Sequence, residues 1–155
     1  MVNVFLYAPQ DFRNLCVLAR TLEVLGHREC FIFDPWRLVR ERYGKARTRE
    51  MRVVSAGAFG KIRWERVEEP EAFLSASRAR VIATVADESA TPLTRFDFEP
   101  DDFLLFGSES SGLPSGVVSA SHQKVTIATR GETQSLNLAV SLGIILFEAH
   151  RQLSR

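Results

Sequence analysis

Three short segments hold most of the residues able to do chemistry. Asn14 and Arg20 follow an apolar run that ends at Pro9. Gly107-Ser108-Glu109-Ser110-Ser111-Gly112-Leu113-Pro114 follows a second run, Phe103-Leu104-Leu105-Phe106. Ser135-Leu136-Asn137 stands where a polar turn containing Gly131 gives way to the nearly all-apolar stretch 138–149. An arginine can hold an anion, a loop acid can fix neighbours by hydrogen bonds, and polar side chains at a helix mouth place donors and acceptors beside a ligand. Ser135 is expected as an N-cap or first-turn residue, because its hydroxyl can accept from free backbone N–H groups there.

Several chemistries lack their residues. Gly107 to Gly112 has no Lys-Ser/Thr ending for a phosphate loop, and no G-x-G-x-x-G fingerprint occurs. No G-x-S-x-G elbow supports a serine hydrolase. No His-rich or carboxylate cluster suggests a metal, so none is expected. His27, His122 and His150 read as surface or helix-end residues. Cys16 and Cys30 read as reduced, buried, small apolar residues.

Charge is distributed unevenly. Positions 37–66 carry ten basic residues against three acids, a net +7, while the other 125 residues sum to −6. Such asymmetry faces an anion, with nucleic acid the natural candidate; the plain alternative is an arginine-rich solvated helix face. No apolar stretch approaches the roughly 18 residues of a membrane span and no charged-then-apolar leader opens the chain, so no membrane association and a cytoplasmic location are expected.

The elements that must position these residues alternate. Apolar runs at 2–8, 30–33, 79–85, 103–106 and 124–128 read as buried strands, and 62–67 alternates like a strand. Helices are expected at 11–25, 36–43, 48–58, 70–77, 113–120 and from 138 onward. The final helix is apolar on almost every face, so it is expected to be buried on all sides or at a subunit interface. At 155 residues the chain is expected to form one α/β domain, 1–155, with a mostly parallel sheet flanked by helices. Ligands on such sheets bind outside the carboxyl ends of the strands, where the three segments fall.

In this order, the three segments resemble the three motifs of the SPOUT superfamily, in its SpoU branch of RNA 2′-O-ribose methyltransferases. The first is Asn14-Leu15-Cys16-Val17-Leu18-Ala19-Arg20-Thr21, with Cys16 where the family usually has Gly. The second is Phe106 to Pro114, with Ser108 where Asn or Pro is usual. The third is Val125-Thr126-Ile127-Ala128 through Ser135-Leu136-Asn137 into the apolar helix. Ser55-Ala56-Gly57-Ala58 also resembles a segment of many members. The short length is similar to that of minimal single-domain tRNA methyltransferases.

The resemblance implies a deep C-terminal trefoil knot, S-adenosyl-L-methionine as methyl donor, and a homodimer with active sites at its interface. It assigns catalysis to Arg20, Asn14, Glu109, Ser135 and Asn137. It implies cofactor contacts from Thr84, Val85, Gly107, Ser108, Glu109, Gly112, Ile127, Ser135 and Leu136. An arginine has a pKa above about 12, so Arg20 works better by gripping a phosphate and easing loss of the 2′-OH proton than as a free base. Glu109 is expected to hold the site, with Arg20 as one possible partner. The basic segment then reads as an RNA surface through Arg37, Arg40, Arg42, Lys45, Arg47 and Arg49. Methylation of tRNA is favoured; ribosomal RNA, or a non-catalytic relative that binds RNA or cofactor, remain alternatives. Cys16 would narrow the space near the substrate or the dimer contact.

Overall fold

The computed structural model describes residues 1–133 and 135–154. Seven strands form one sheet in which every pairing is parallel: β1 (Asn3–Tyr7), β2 (Glu29–Phe33), β3 (Arg63–Arg66), β4 (Val81–Thr84), β5 (Thr91–Pro92), β6 (Phe103–Phe106) and β7 (Gln123–Thr126). Their order is β3-β2-β1-β6-β4-β7-β5. Helices α1 (Phe12–Val24), α2 (Lys45–Val54), α3 (Pro70–Ala76), α4 (Ser115–Ala120) and α5 (Leu138–Leu153) connect and cover them.

The unbroken apolar strands follow from burial on both faces. Val4, Leu6, Leu104 and Phe106 point into the larger core with Leu15, Leu18 and Leu22 of α1 and Leu142, Ile145 and Leu146 of α5. The alternate residues Phe5, Phe103 and Leu105 enter a second core, packed by Phe73, Leu74 and Val117 from α3 and α4. The chain winds from β1 outward to β3 and then occupies the other half, so the order reverses between β1 and β6. A crevice lies at the carboxyl edge, the usual ligand position in such sheets.

Two sequence expectations need correction. Segment 36–43 is an irregular loop. Arg37 sits at φ +52, outside the right-handed helical region, and the Asp34 carboxylate accepts from the N–H groups of Leu38 and Val39, diverting them from helical bonding. The helix expected at 48–58 is displaced: α2 ends at Val54, Ala56 and Gly57 both adopt positive φ, and a 3₁₀ turn spans Ala58–Lys61. The two-residue edge strand β5 carries no apolar alternation to announce it. The histidines lie at helix ends or at the surface, as expected: His27 just after α1, His150 in the last turn of α5, and His122 exposed. His27 is buried and stacks on His150, with the two Nε2 atoms 3.1 Å apart, and His122 Nδ1 accepts from Val81 N–H at 3.0 Å.

Candidate active site

The crevice is a cavity of about 790 Å³. The ends of β4, β6 and β7, the first turn of α1 and the mouth of α5 line it. Thr84, Val85, Gly107, Ser108, Glu109, Gly112, Ile127, Ser135, Leu136, Asn14 and Asn137 all face it, so every cofactor position expected from sequence is there. Its volume lies within the range of roughly 300–1,000 Å³ that small-molecule ligands occupy. Ile127, Leu138 and Ile145 give it an apolar side against a polar rim of Ser135, Thr129 and Ser141. That mixture suits a nucleoside carrying a charged tail.

A hydrogen-bonded chain joins the three segments. Asn137, not Ser135, caps α5: its Oδ1 accepts from the N–H groups of Ala139 at 2.8 Å and Val140 at 3.4 Å. Asn137 stands directly before the first helical residue, the geometry a cap requires, while Ser135 lies two residues too early. With Oδ1 committed, the amide nitrogen of Asn137 donates to Asn14 Oδ1 at 3.1 Å. Asn14 Nδ2 then donates to Glu109 Oε1 at 3.2 Å. Both amide orientations follow from the cap outward. Glu109 also accepts from Gln10 N–H at 2.8 Å and Asp11 N–H at 3.2 Å. Its carboxylate thus fastens the start of α1 to the loop after β6. Its partners are these residues; no contact with Arg20 occurs among the described residues. Asp11 caps α1 by accepting from Asn14 N–H at 2.8 Å, which frees the Asn14 side chain for the network.

Loop 107–112 is held by backbone. Ser108 and Gly112 exchange N–H and carbonyl bonds at 3.0 and 3.1 Å. A Cβ on Gly107 would lie 2.1 Å from the Gly112 carbonyl carbon, and Gly112 itself has φ +65, so both positions need glycine. The Ser108 hydroxyl lies 2.8 Å from that of Ser111, and Thr84 Oγ1 donates to the Leu105 carbonyl at 2.7 Å. These two hydroxyls therefore brace the walls. Cys16 does not line the cavity; it is wholly buried in the larger core, and burial pushes its thiol up to about 11.

Arg20 lies outside this cavity. It is exposed on α1, on the same helical face as Arg13, Val17 and Val24, and forms no ion pair among the described residues. Beside it, α5 exposes Val140, Ile144 and Phe147 at helical spacing. The helix expected to be buried on all sides or at a subunit interface is buried along Ala139, Leu142, Ile145, Leu146 and Ala149 and bare along its other apolar face. Helices α1 and α5 pack together, so the bare faces share one side of the molecule.

Arg37, Arg40, Arg42, Lys45, Arg47 and Arg49 are all exposed on the loop after β2 and on α2. Gln10, Asp11, Thr129, Ser141 and Leu138 were not among the residues expected at the site. The position of Asp11 directly before an amphipathic helix was the one available signal. Among the described residues no cluster able to hold a metal occurs, and no helix is long and apolar enough to cross a membrane.

The chain is similar to several known proteins. The model of the SpoU rRNA Methylase family matches residues 1–147. A tRNA (cytidine(34)-2′-O)-methyltransferase of Beijerinckia indica is 40% identical over 73 residues, 47% of this chain and 46% of that protein, so the chain spans less than half of that relative's length. An Escherichia coli (strain K12) protein of the same name is 26% identical over 159 residues, covering 99% of this chain and 94% of its own. A solved structure described as giving insight into the 2-OH methylation of C/U34 on tRNA superposes with a TM-score of 0.84 at 30% identity, over 99% of this chain and 97% of that one.

Proposed function

The chain belongs to the SpoU rRNA methylase family, and we propose that it transfers a methyl group from S-adenosyl-L-methionine to a ribose 2′-OH of RNA, with tRNA the favoured substrate and ribosomal RNA the alternative. The observation that carries the proposal is the Asn137–Asn14–Glu109 chain at the edge of a nucleoside-sized cavity, which ties the three motif segments together.

The cavity residues fit that cofactor. When bound, it supplies a methyl group on a sulfonium. Ile127, Leu136 and Leu138 offer apolar contact to its base, and Ser135 and Asn137 border the reacting end. In-line displacement demands alignment, and the Asn14–Asn137 pair fixes the helix mouth at which the substrate ribose must sit. Arg20 completes the site from a second copy of the chain: it is exposed and uncommitted, beside an apolar face that a homodimer would cover. Support for the dimer is that face itself, with Val24 at 73% and Phe147 at 64% exposure. In this role Arg20 holds the phosphate next to the target ribose and favours departure of the hydroxyl proton. The basic residues from Arg37 to Arg49 hold the RNA backbone. The knot expected of the family draws support from strand order: β6 enters between β1 and β4, and β7 enters between β4 and β5.

The test is tritiated-methyl incorporation into bulk tRNA and, separately, into ribosomal RNA, followed by mass analysis of the nucleosides. Label in 2′-O-methylated nucleosides of one pool is expected. Binding of S-adenosylhomocysteine with no transfer to either pool would overturn the catalytic reading in favour of the non-catalytic one.

A further inference from the structure

The basic excess of segment 37–66 divides in two in the fold. At its far end Lys61 pairs with Glu23, Arg63 with Glu29 and Glu65, and Arg66 with Asp34. At its near end only Arg47 has an acidic partner among the described residues, Glu50 at 3.5 Å. The uncompensated charge therefore gathers around the loop after β2.

That loop is built rather than slack. The buried Asp34 carboxylate accepts from Leu38 and Val39 N–H at 2.8 and 2.9 Å, with Arg66 3.5 Å away. Arg37 N–H bonds back to the Asp34 carbonyl at 3.1 Å, closing a turn over Pro35 and Trp36. Tyr43 Oη accepts from Arg40 N–H at 2.9 Å and donates to the Leu38 carbonyl at 2.8 Å. This frame surrounds a cavity of about 140 Å³ lined by Phe12, Tyr43, Arg37, Arg40, Arg42 and Arg47. The Arg47 guanidinium lies 4.4 Å from the centre of the Phe12 ring. Trp36, at the corner of the turn, is 58% exposed.

Position relates this cavity to the active site. Phe12 lines it, and Asn14, two residues along the same helix, lines the larger cavity. Strands β2 and β1 are neighbours, about 4.8 Å apart. Size limits the occupant: pockets for whole small molecules run from roughly 300 Å³ upward, so this one suits a phosphate rather than a nucleotide. Guanidinium groups suit a phosphate by geometry as well as charge. An exposed indole beside them suits an unpaired base, whereas a duplex keeps its bases stacked within.

We propose that the loop from Asp34 to Arg47 is a nucleotide subsite for single-stranded RNA. Its arginines hold a backbone phosphate flanking the methylated ribose, and Trp36 stacks an adjacent unpaired base. The proposal rests on the RNA reading above and adds to it that the flanking nucleotides must be unpaired.

The experiment measures binding of the full chain to a fluorescein-labelled RNA hairpin with a seven-nucleotide loop and to a blunt duplex of the stem, by anisotropy across a salt series. W36A is expected to bind the hairpin about tenfold more weakly with duplex affinity unchanged, and W36F to recover most of the loss. R42A is expected to lower the salt slope for the hairpin by about 1. Hairpin affinity of W36A within twofold of the original chain, equal hairpin and duplex affinities in that chain, or an unchanged slope in R42A would overturn the subsite. Methyl transfer to bulk tRNA by the unsubstituted protein is scored separately, and its absence counts against the catalytic reading alone.

Discussion

Asn14 and Asn137 lie 123 positions apart in sequence and meet through a hydrogen bond of 3.1 Å. One belongs to the first turn of α1 and the other caps α5, so the bond fixes the relative position of two helices at the cavity mouth. Asn137→Ala should cost about 1 kcal/mol as a lost cap, and Asn14→Ala about the same for its two side-chain bonds. Because they share a bond, the double substitution should cost less than the sum by about 0.5–1 kcal/mol. Urea unfolding at one fixed protein concentration measures all three. Strict additivity would mean that the pair is not coupled.

Arg20 separates activity from stability. It is exposed and has no ion-pair partner among the described residues, so R20A should leave the melting temperature within about 2 °C, the ordinary range for a surface change. Methyl transfer should fall by about 10²-fold or more if Arg20 assists the 2′-OH. R20K, which keeps charge but loses the fork, should recover little. Activity of R20A within threefold of the original would remove Arg20 from the reaction.

The bare face of α1 and α5 calls for a partner. Phe147→Glu places a charge on it without disturbing the buried stripe of Leu142, Ile145 and Leu146. Sedimentation equilibrium should show a dimer for the original chain and a monomer for F147E, with far-ultraviolet circular dichroism unchanged. Methyl transfer should disappear with the dimer, since Arg20 then reaches no cavity. A monomeric original chain would refute the assembly.

Much of this architecture was legible because it is local. Short apolar runs such as Phe103–Phe106, bounded by turn residues, read as strands buried on both faces, and polar segments that follow parallel strands gather at one edge. What was hidden depends on distant partners. Segment 36–43 has helical composition, but Asp34 takes two of its N–H groups. Ser135 and Asn137 are both good caps by residue type, and only the register of α5 chooses between them. His27 looked like a polar residue after a helix because nothing nearby announces His150.

Gly107 offers a test of the cavity wall. G107A would place a Cβ 2.1 Å from one backbone atom and 2.3 Å from another, and neither can swing away as a side chain could. The loop must shift, and Glu109 with it. At ligand one hundred times its dissociation constant, S-adenosylhomocysteine should stabilise the original chain by about 2.7 kcal/mol. G107A should lose most of that gain in the same thermal-shift measurement. An equal gain in both would place the ligand elsewhere.

The His27–His150 pair makes stability depend on pH. Their Nε2 atoms lie 3.1 Å apart, so one ring donates and the other, unprotonated at that nitrogen, accepts. Burial, then the neighbouring His150 and the N-terminal amine, lower the His27 pKa from 6.5 to about 4, and burial lowers that of His150. Above pH 6.5 both the folded and the unfolded chain carry neutral imidazoles, and the pair is at full strength. Between 6.5 and about 4 the unfolded chain binds the proton and the folded chain does not, so stability falls as pH falls. The loss attributable to His27 is on the order of 3 kcal/mol across that window. His27→Gln cannot titrate, so its unfolding free energy should start lower at pH 7.5 and decline less steeply down to pH 4.5. Parallel curves for the two proteins would show that other groups govern the acid sensitivity.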